Sequence, residues 1–129
     1  MQTYCNLQEE NRIGYRVTSS SKQLWNIQLN MLVKLMDVCK KYNLRLYASS
    51  GTMLGAIRHH GYIPWDDDID MDMPREDYDK LLEIAPKEFE HPYFFQCAYT
   101  DKGYYRGHAQ IRYDGTAQIL PVDIYRDFN

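Results

Sequence analysis

Between Asp66 and Asp79 the chain carries eight carboxylates (Asp66, Asp67, Asp68, Asp70, Asp72, Glu76, Asp77 and Asp79) and one cation, Arg75. No other stretch restricts its folding as much. Like charges this close repel, and crowding raises the pKa of some of them, so such a cluster persists either fully solvated or neutralised by a cation. Its internal pattern adds a second restriction. Asp68-Ile69-Asp70-Met71-Asp72-Met73 alternates with period two, which predicts a strand over 68–73 that Pro74 ends. On that strand Asp68, Asp70 and Asp72 share one face, with neighbouring Cα atoms roughly 6.5–7 Å apart. Carboxylates so placed can converge on one hard cation. Mg²⁺ takes oxygen ligands at about 2.0–2.1 Å and often only one or two carboxylates, leaving the rest to water and phosphate. A paired-metal arrangement would use ions about 3.5–4 Å apart. The plain alternative is an acidic edge kept soluble by its charge. An EF-hand fits poorly, because Met71 stands where that loop needs Gly and Asp77 where it needs Glu.

The segment before the cluster favours the cation. Ser50-Gly51-Thr52 follows a short predicted strand, Leu44–Ser49, and opens a predicted helix, Met53–His60, which Gly61 stops. Backbone amides and the Thr52 hydroxyl at a helix N-terminus make an anion site, and Arg58 lies further along the same helix. An anion site followed by a carboxylate strand describes recognition of metal-bound phosphates.

Elsewhere the pattern is regular. Leu24, Ile27, Met31, Leu35, Val38 and Tyr42 form one helical stripe, and Trp25, Leu29, Leu32, Met36 and Cys39 a second. Together they predict a helix buried along much of its length, with N-caps in Ser19-Ser20-Ser21, Lys40 and Lys41 in the last turn, and Asn43 at its end. Met1–Thr18 reads as an extended arm or short strand. Arg75–Ile84 reads as a helix, and Tyr93–Tyr99, Gln110–Tyr113, Thr116–Leu120 and Val122–Tyr125 as strands, with Asp114-Gly115 as a hairpin turn. Helices interleaved with short strands give an α+β or mixed α/β layout.

Length and composition set outer bounds. At 129 residues the chain allows a single domain, 1–129. Fifteen basic against eighteen acidic residues disfavour nucleic acid as a partner. No apolar run approaches the ~20 residues of a membrane span, and Met1–Asn11 lacks a signal-peptide layout. Cys5, Cys39 and Cys97 form no C-x-x-C pair, which favours a reducing compartment and gives no zinc site. His59-His60 reads as surface, since adjacent helical side chains diverge by about 100°. Trp65 reads either as a base-stacking or as a packing residue. Tyr93, Tyr99, Tyr104 and Tyr105 read as core, with an aromatic frame for a quaternary ammonium as the lesser alternative.

Ser50–Arg75, SGTMLGAIRHHGYIPWDDDIDMDMPR, resembles the characteristic block of the LicD family, and the likeness continues into Glu76-Asp77-Tyr78. These are bacterial phosphocholine transferases with the fukutin-related proteins as distant relatives. The family is similar to the polymerase beta-like nucleotidyltransferases, which implies an α+β fold with a nucleotidyltransferase-like mixed sheet and flanking helices. By that resemblance Gly51-Thr52 is the phosphate turn, with Ser50 beside it, and Asp68 and Asp70 are the metal pair. Val122-Asp123-Ile124-Tyr125 matches the later acidic strand, making Asp123 the third carboxylate, either a metal ligand or the base for the acceptor. Gln110–Thr116 resembles the element that would make Arg112 a phosphate contact.

The implied reaction is Mg²⁺- or Mn²⁺-dependent transfer of a phosphoalcohol, typically phosphocholine from CDP-choline, to a hydroxyl of a cell-surface glycan or teichoic acid precursor. It would take place in the cytoplasm or against the inner face of the membrane. Asp66 and Asp67 are expected to be solvated or to orient ligands from behind. Two other functions share the motif: transfer of NMP to a small molecule or sugar phosphate, and a non-catalytic nucleotide- or divalent-ion-binding module. Family members continue past the third acidic strand, whereas this chain ends four residues after Tyr125, so it is expected to be either a fragment or a minimal member lacking the acceptor-binding part.

Overall fold

A computed structural model describes residues 1–117. Its backbone element is helix α1, Ser19–Lys41. The cap is Thr18, one residue ahead of the serines expected to serve, and its Oγ1 accepts from the Ser21 amide at 3.1 Å. Asn43 leaves the helix in the left-handed region at φ 55°, a conformation Asn tolerates better than most residues.

One half of α1 builds the core. Leu35, Val38 and Cys39 pack with Leu81 and Ala85 of the third helix, with Phe89 at its C-terminal cap, and with Phe95 and Cys97. That helix, α3 (Arg75–Glu88, after α2 described below), runs past the predicted end at Ile84 and through Pro86. The buried Ala85 and Phe89 continue the stripe begun at Leu81, and their burial outweighs the amide that proline removes. At its far end Glu88 accepts from Lys41 Nζ at 2.7 Å and Tyr42 Oη at 2.6 Å, joining the C-terminal ends of both helices.

The other half of α1 faces the N-terminal arm. Asn26 and Asn30 clamp the backbone of Gln2 and Tyr4, and buried Lys22 meets Glu10 at 2.5 Å. The arm contains a hairpin of β1 (Glu10–Arg12) and β2 (Tyr15–Val17), turned by Ile13-Gly14 with both residues at positive φ.

The chain is α+β, as expected, but the described strands form three separate two-stranded antiparallel sheets and no single mixed sheet. The hairpin is one; β3 (Tyr47–Ala48) with β4 (Met71–Asp72) is the second; β5 (Tyr93–Gln96) with β6 (Gln110–Tyr113) is the third. The acidic strand expected over 68–73 is therefore two residues long. Its partner β3 supplies only two rungs, Tyr47↔Asp72 and Ala48↔Met71, and a last bond from the Ser49 amide to the Asp70 carbonyl before turning into helix. Without a neighbour to bond, Asp68 and Ile69 remain irregular.

Helix α2, Ser50–Arg58, starts three residues earlier than its apolar pattern implies. His60, not Gly61, takes the left-handed position after it. The helix lies so close to the following loop that a Cβ at Gly55 would stand 2.5 Å from the Gly61 carbonyl oxygen. No helix among the described residues is long and apolar enough to cross a membrane. Most of the Thr116–Leu120 segment and all of Val122–Tyr125 lie outside the described residues.

Candidate active site

The site is built where β3 ends, α2 begins and the acidic segment returns. Ser49 caps α2 without a side-chain hydrogen bond to the helix, and Ser50 enters it at φ 47°. A non-glycine residue held in that region is the kind of local strain that collects at functional sites. Two residues on, the Thr52 hydroxyl accepts from the Asp70 amide at 2.9 Å. This bond, with the Ser49–Asp70 bond, ties the first turn of α2 to the acidic segment.

The carboxylates gather just ahead of that tie. Oxygens of Asp66, Asp67 and Asp68 lie within 4.8 Å of one another. Asp66 is half-buried: its Oδ2 occupies the space over Gly51, only 2.7 Å from where a Cβ there would stand. Asp68 reaches solvent, yet partial loss of hydration, then the charges of Asp70, Asp66 and Asp67, raise its carboxyl pKa. Asp70 thus acts on Asp68 through its charge, while the close group is Asp66, Asp67 and Asp68. In the irregular chain before β4 consecutive side chains converge, so that Asp66 and Asp67, expected to be solvated or behind the ligands, lie together with Asp68.

What holds this turn in place was not visible in the sequence. Trp25 of α1 is 2 % exposed and its Nε1–H donates to the Asp66 carbonyl at 2.8 Å, across 41 residues of chain. Gln28, one turn on, donates to the Asp67 carbonyl at 2.5 Å and accepts from the Tyr62 hydroxyl at 2.8 Å. Tyr62 in turn stacks on Trp25, centroids 4.6 Å apart and planes 4° from parallel. Burial, followed by Cys5, Asp66 and Asp68, raises the Tyr62 hydroxyl well above its ordinary range, so it stays protonated and donating.

The two arginines expected at phosphate have other neighbours. Arg58, at the far end of α2 from Thr52, donates to His59 Nδ1 at 3.3 Å. Arg112 on β6 donates to Gln96 at 2.9 Å and Gln110 at 2.8 Å. The tyrosine frame does not assemble either: Tyr93 pairs with Tyr113, the Tyr104 hydroxyl donates to the His108 carbonyl, and Tyr99 and Tyr105 point into solvent. Asp123 lies outside the described residues.

Residues 43–127 match the family described as LicD/FKTN/FKRP, nucleotidyltransferase domain. The chain belongs to the LicD family. It is 34% identical over 104 residues to the lipopolysaccharide cholinephosphotransferase LicD of Haemophilus influenzae, covering 81% of this chain and 38% of that one. An uncharacterised protein of Rickettsia prowazekii is 37% identical over 97 residues, covering 75% of this chain and 33% of the relative. One from Rickettsia typhi is 36% identical over 84 residues, covering 65% and 26%. The chain thus spans between a quarter and two fifths of the length of these curated relatives. No solved structure matches it. The whole SGT-to-DDDID block, with α2 and the carboxylate turn, falls inside the LicD match.

Proposed function

We propose that this LicD-family chain is the donor-binding and catalytic part of a metal-dependent phosphoalcohol transferase. It would move phosphocholine from CDP-choline to a hydroxyl of a cell-surface glycan, with lipopolysaccharide or a teichoic acid precursor as acceptor. The observation that carries the reading is the meeting of Asp66, Asp67 and Asp68 beside the Thr52–Asp70 bond at the start of α2. The unit β3–α2–β4, a strand, a Ser-Gly-Thr turn into a helix and an antiparallel acidic return, also supports a nucleotidyltransferase-like arrangement.

The donor set is all oxygen and anionic, which suits Mg²⁺ or Mn²⁺ over softer ions. Asp68 and Asp66 would hold the ion, with Asp70 beside them and Asp123 as a third contributor from the later segment. When bound, a divalent ion supplies neutralisation of the charge that builds on the diphosphate. The protein's own part is positional. Ser50, Gly51 and Thr52 offer the uncapped amides of the α2 N-terminus to phosphate oxygens, and the Thr52 hydroxyl fixes the turn to Asp70. The acceptor hydroxyl oxygen forms its bond to the choline-bearing phosphorus as the bond to CMP breaks, and the hydroxyl proton passes to a carboxylate, a role for Asp123.

The test is calorimetric titration of CDP-choline into the chain with and without Mg²⁺. Asp68→Asn and Asp66→Asn should each remove the Mg²⁺-dependent part of binding, while circular dichroism stays that of the parent. Unchanged donor affinity in both variants overturns the metal assignment. In turnover, CMP release supports phosphocholine transfer, whereas pyrophosphate release from CTP would make the chain a nucleotidyltransferase.

A further inference from the structure

Three aromatic rings from three elements meet beside the acidic turn, and nothing in the reading above uses them. Tyr15 comes from β2, His59 is the C-cap of α2, and Trp65 leads directly into Asp66. The Tyr15 and Trp65 centroids are 5.7 Å apart with planes at 65°, and those of His59 and Trp65 6.1 Å apart at 81°. These rings are not core. Trp65 is 56% exposed and Tyr15 44%, whereas Trp25 is buried. A large aromatic surface left half in water beside a charged site marks a place where something binds.

The ring geometry restricts what that is. A nucleobase is gripped between parallel faces, and neither ring pair here is parallel. Both pairs meet edge to face with Trp65 common to the two, and the half-exposed π-faces this leaves suit a compact methylated cation. Charge favours a cation on the Trp65 side, where Asp66, Asp67 and Asp68 follow, while the Arg58 guanidinium bonded to His59 opposes one at the far edge of that ring. Arg58 Nε–H donates to His59 Nδ1 at 3.3 Å, which fixes the orientation of the third ring. Reach agrees as well. The Cα atoms of Trp65 and Asp66 are about 3.8 Å apart, and the Asp66 carboxylate lies over Gly51 in the phosphate turn.

We propose that Tyr15, His59 and Trp65 enclose the quaternary ammonium of the transferred phosphoalcohol and are the residues that select choline over uncharged alcohols. This rests on the donor reading for its second half, since the ammonium must arrive attached to a phosphate held at Thr52. The first half, a cation box at Trp65, stands on the rings alone.

Two measurements separate the halves. In the first, donor binding with Mg²⁺ is compared for CDP-choline and CDP-glycerol. Trp65→Ala should weaken CDP-choline about tenfold and CDP-glycerol less than about twofold, with Trp65→Phe recovering most of the loss. Equal losses for both donors would mean that Trp65 serves the nucleotide or only the fold, and an unchanged CDP-choline affinity would mean that it serves neither; each overturns the proposal. In the second, free choline and its uncharged carbon isostere are titrated while the Trp65 indole N–H is followed by NMR. Choline alone should shift it, and a response to both or to neither overturns the box. If choline shifts Trp65 while no CDP donor binds, the box stands and the donor reading fails.

Discussion

At Gly51 one methyl group would displace the carboxylate of Asp66. The atom that a Cβ would meet at 2.7 Å is Asp66 Oδ2, the tip of a side chain, so the backbone need not move but the carboxylate must. Gly51→Ala is expected to lower Mg²⁺-dependent donor affinity about tenfold, roughly 1.4 kcal/mol, while the melting temperature shifts by less than about 4 °C. Calorimetry and a thermal melt on the same sample check both halves. A large drop in melting temperature would show that Gly51 serves the fold and not the site. The sequence placed Ser50-Gly51-Thr52 at the opening of a helix ahead of the acidic segment, and α2 begins there. The closeness of Asp66 to Gly51 was not legible, because it depends on an approach that no spacing rule encodes.

Among elements, legibility followed the length of the pattern. Helix α1 carries two stripes over 23 residues and emerged nearly to the residue, as did β6. The acidic strand failed because alternation describes only one partner of a ladder; the other, β3, runs out after Ala48. The support beneath the turn was illegible for a different reason. Trp25 looked like one more core residue in a stripe, and its indole N–H finds Asp66 only once α1 and the 61–68 loop pack together. Trp25→Phe keeps most of the ring against Tyr62 and removes that bond. It should cost about 1 kcal/mol in urea unfolding, with a matching loss of donor affinity as the turn loosens. Unaltered donor affinity would show that Gln28 alone suffices to hold the turn.

Among the described residues, the carboxylates whose ionisation the fold shifts respond to acid in two opposite ways. Hydrogen bonds from Arg45 hold Asp77 below its ordinary value; Glu76 is lowered by its own backbone hydrogen bond and then by Arg45; Lys41 and then Tyr42 lower Glu88. A folded-state pKa below the unfolded one stabilises above the unfolded value and is lost as pH falls through the folded one. Stability should therefore decline below about pH 4.5 as these groups take up protons. Asp68 runs the other way. Its folded pKa is raised, so its ionisation opposes folding, and that penalty grows as pH rises through the carboxylate range. Without metal, Asp68→Asn should melt at or above the parent at pH 7, and the difference should close in acid. Added Mg²⁺ should reverse the order by stabilising the parent alone. Thermal melts across pH with and without Mg²⁺ read all three outcomes, and a variant that melts below the parent at pH 7 without metal refutes the assignment.

Helix α1 takes hold of the acidic turn by its carbonyl oxygens, at Asp66 and Asp67, and leaves the carboxylates to other partners. The scaffold is thereby indifferent to the chemistry it displays. Exchange of Asp68 for another oxygen-bearing side chain should therefore alter what the turn presents while the Trp25 and Gln28 bonds beneath it stay made.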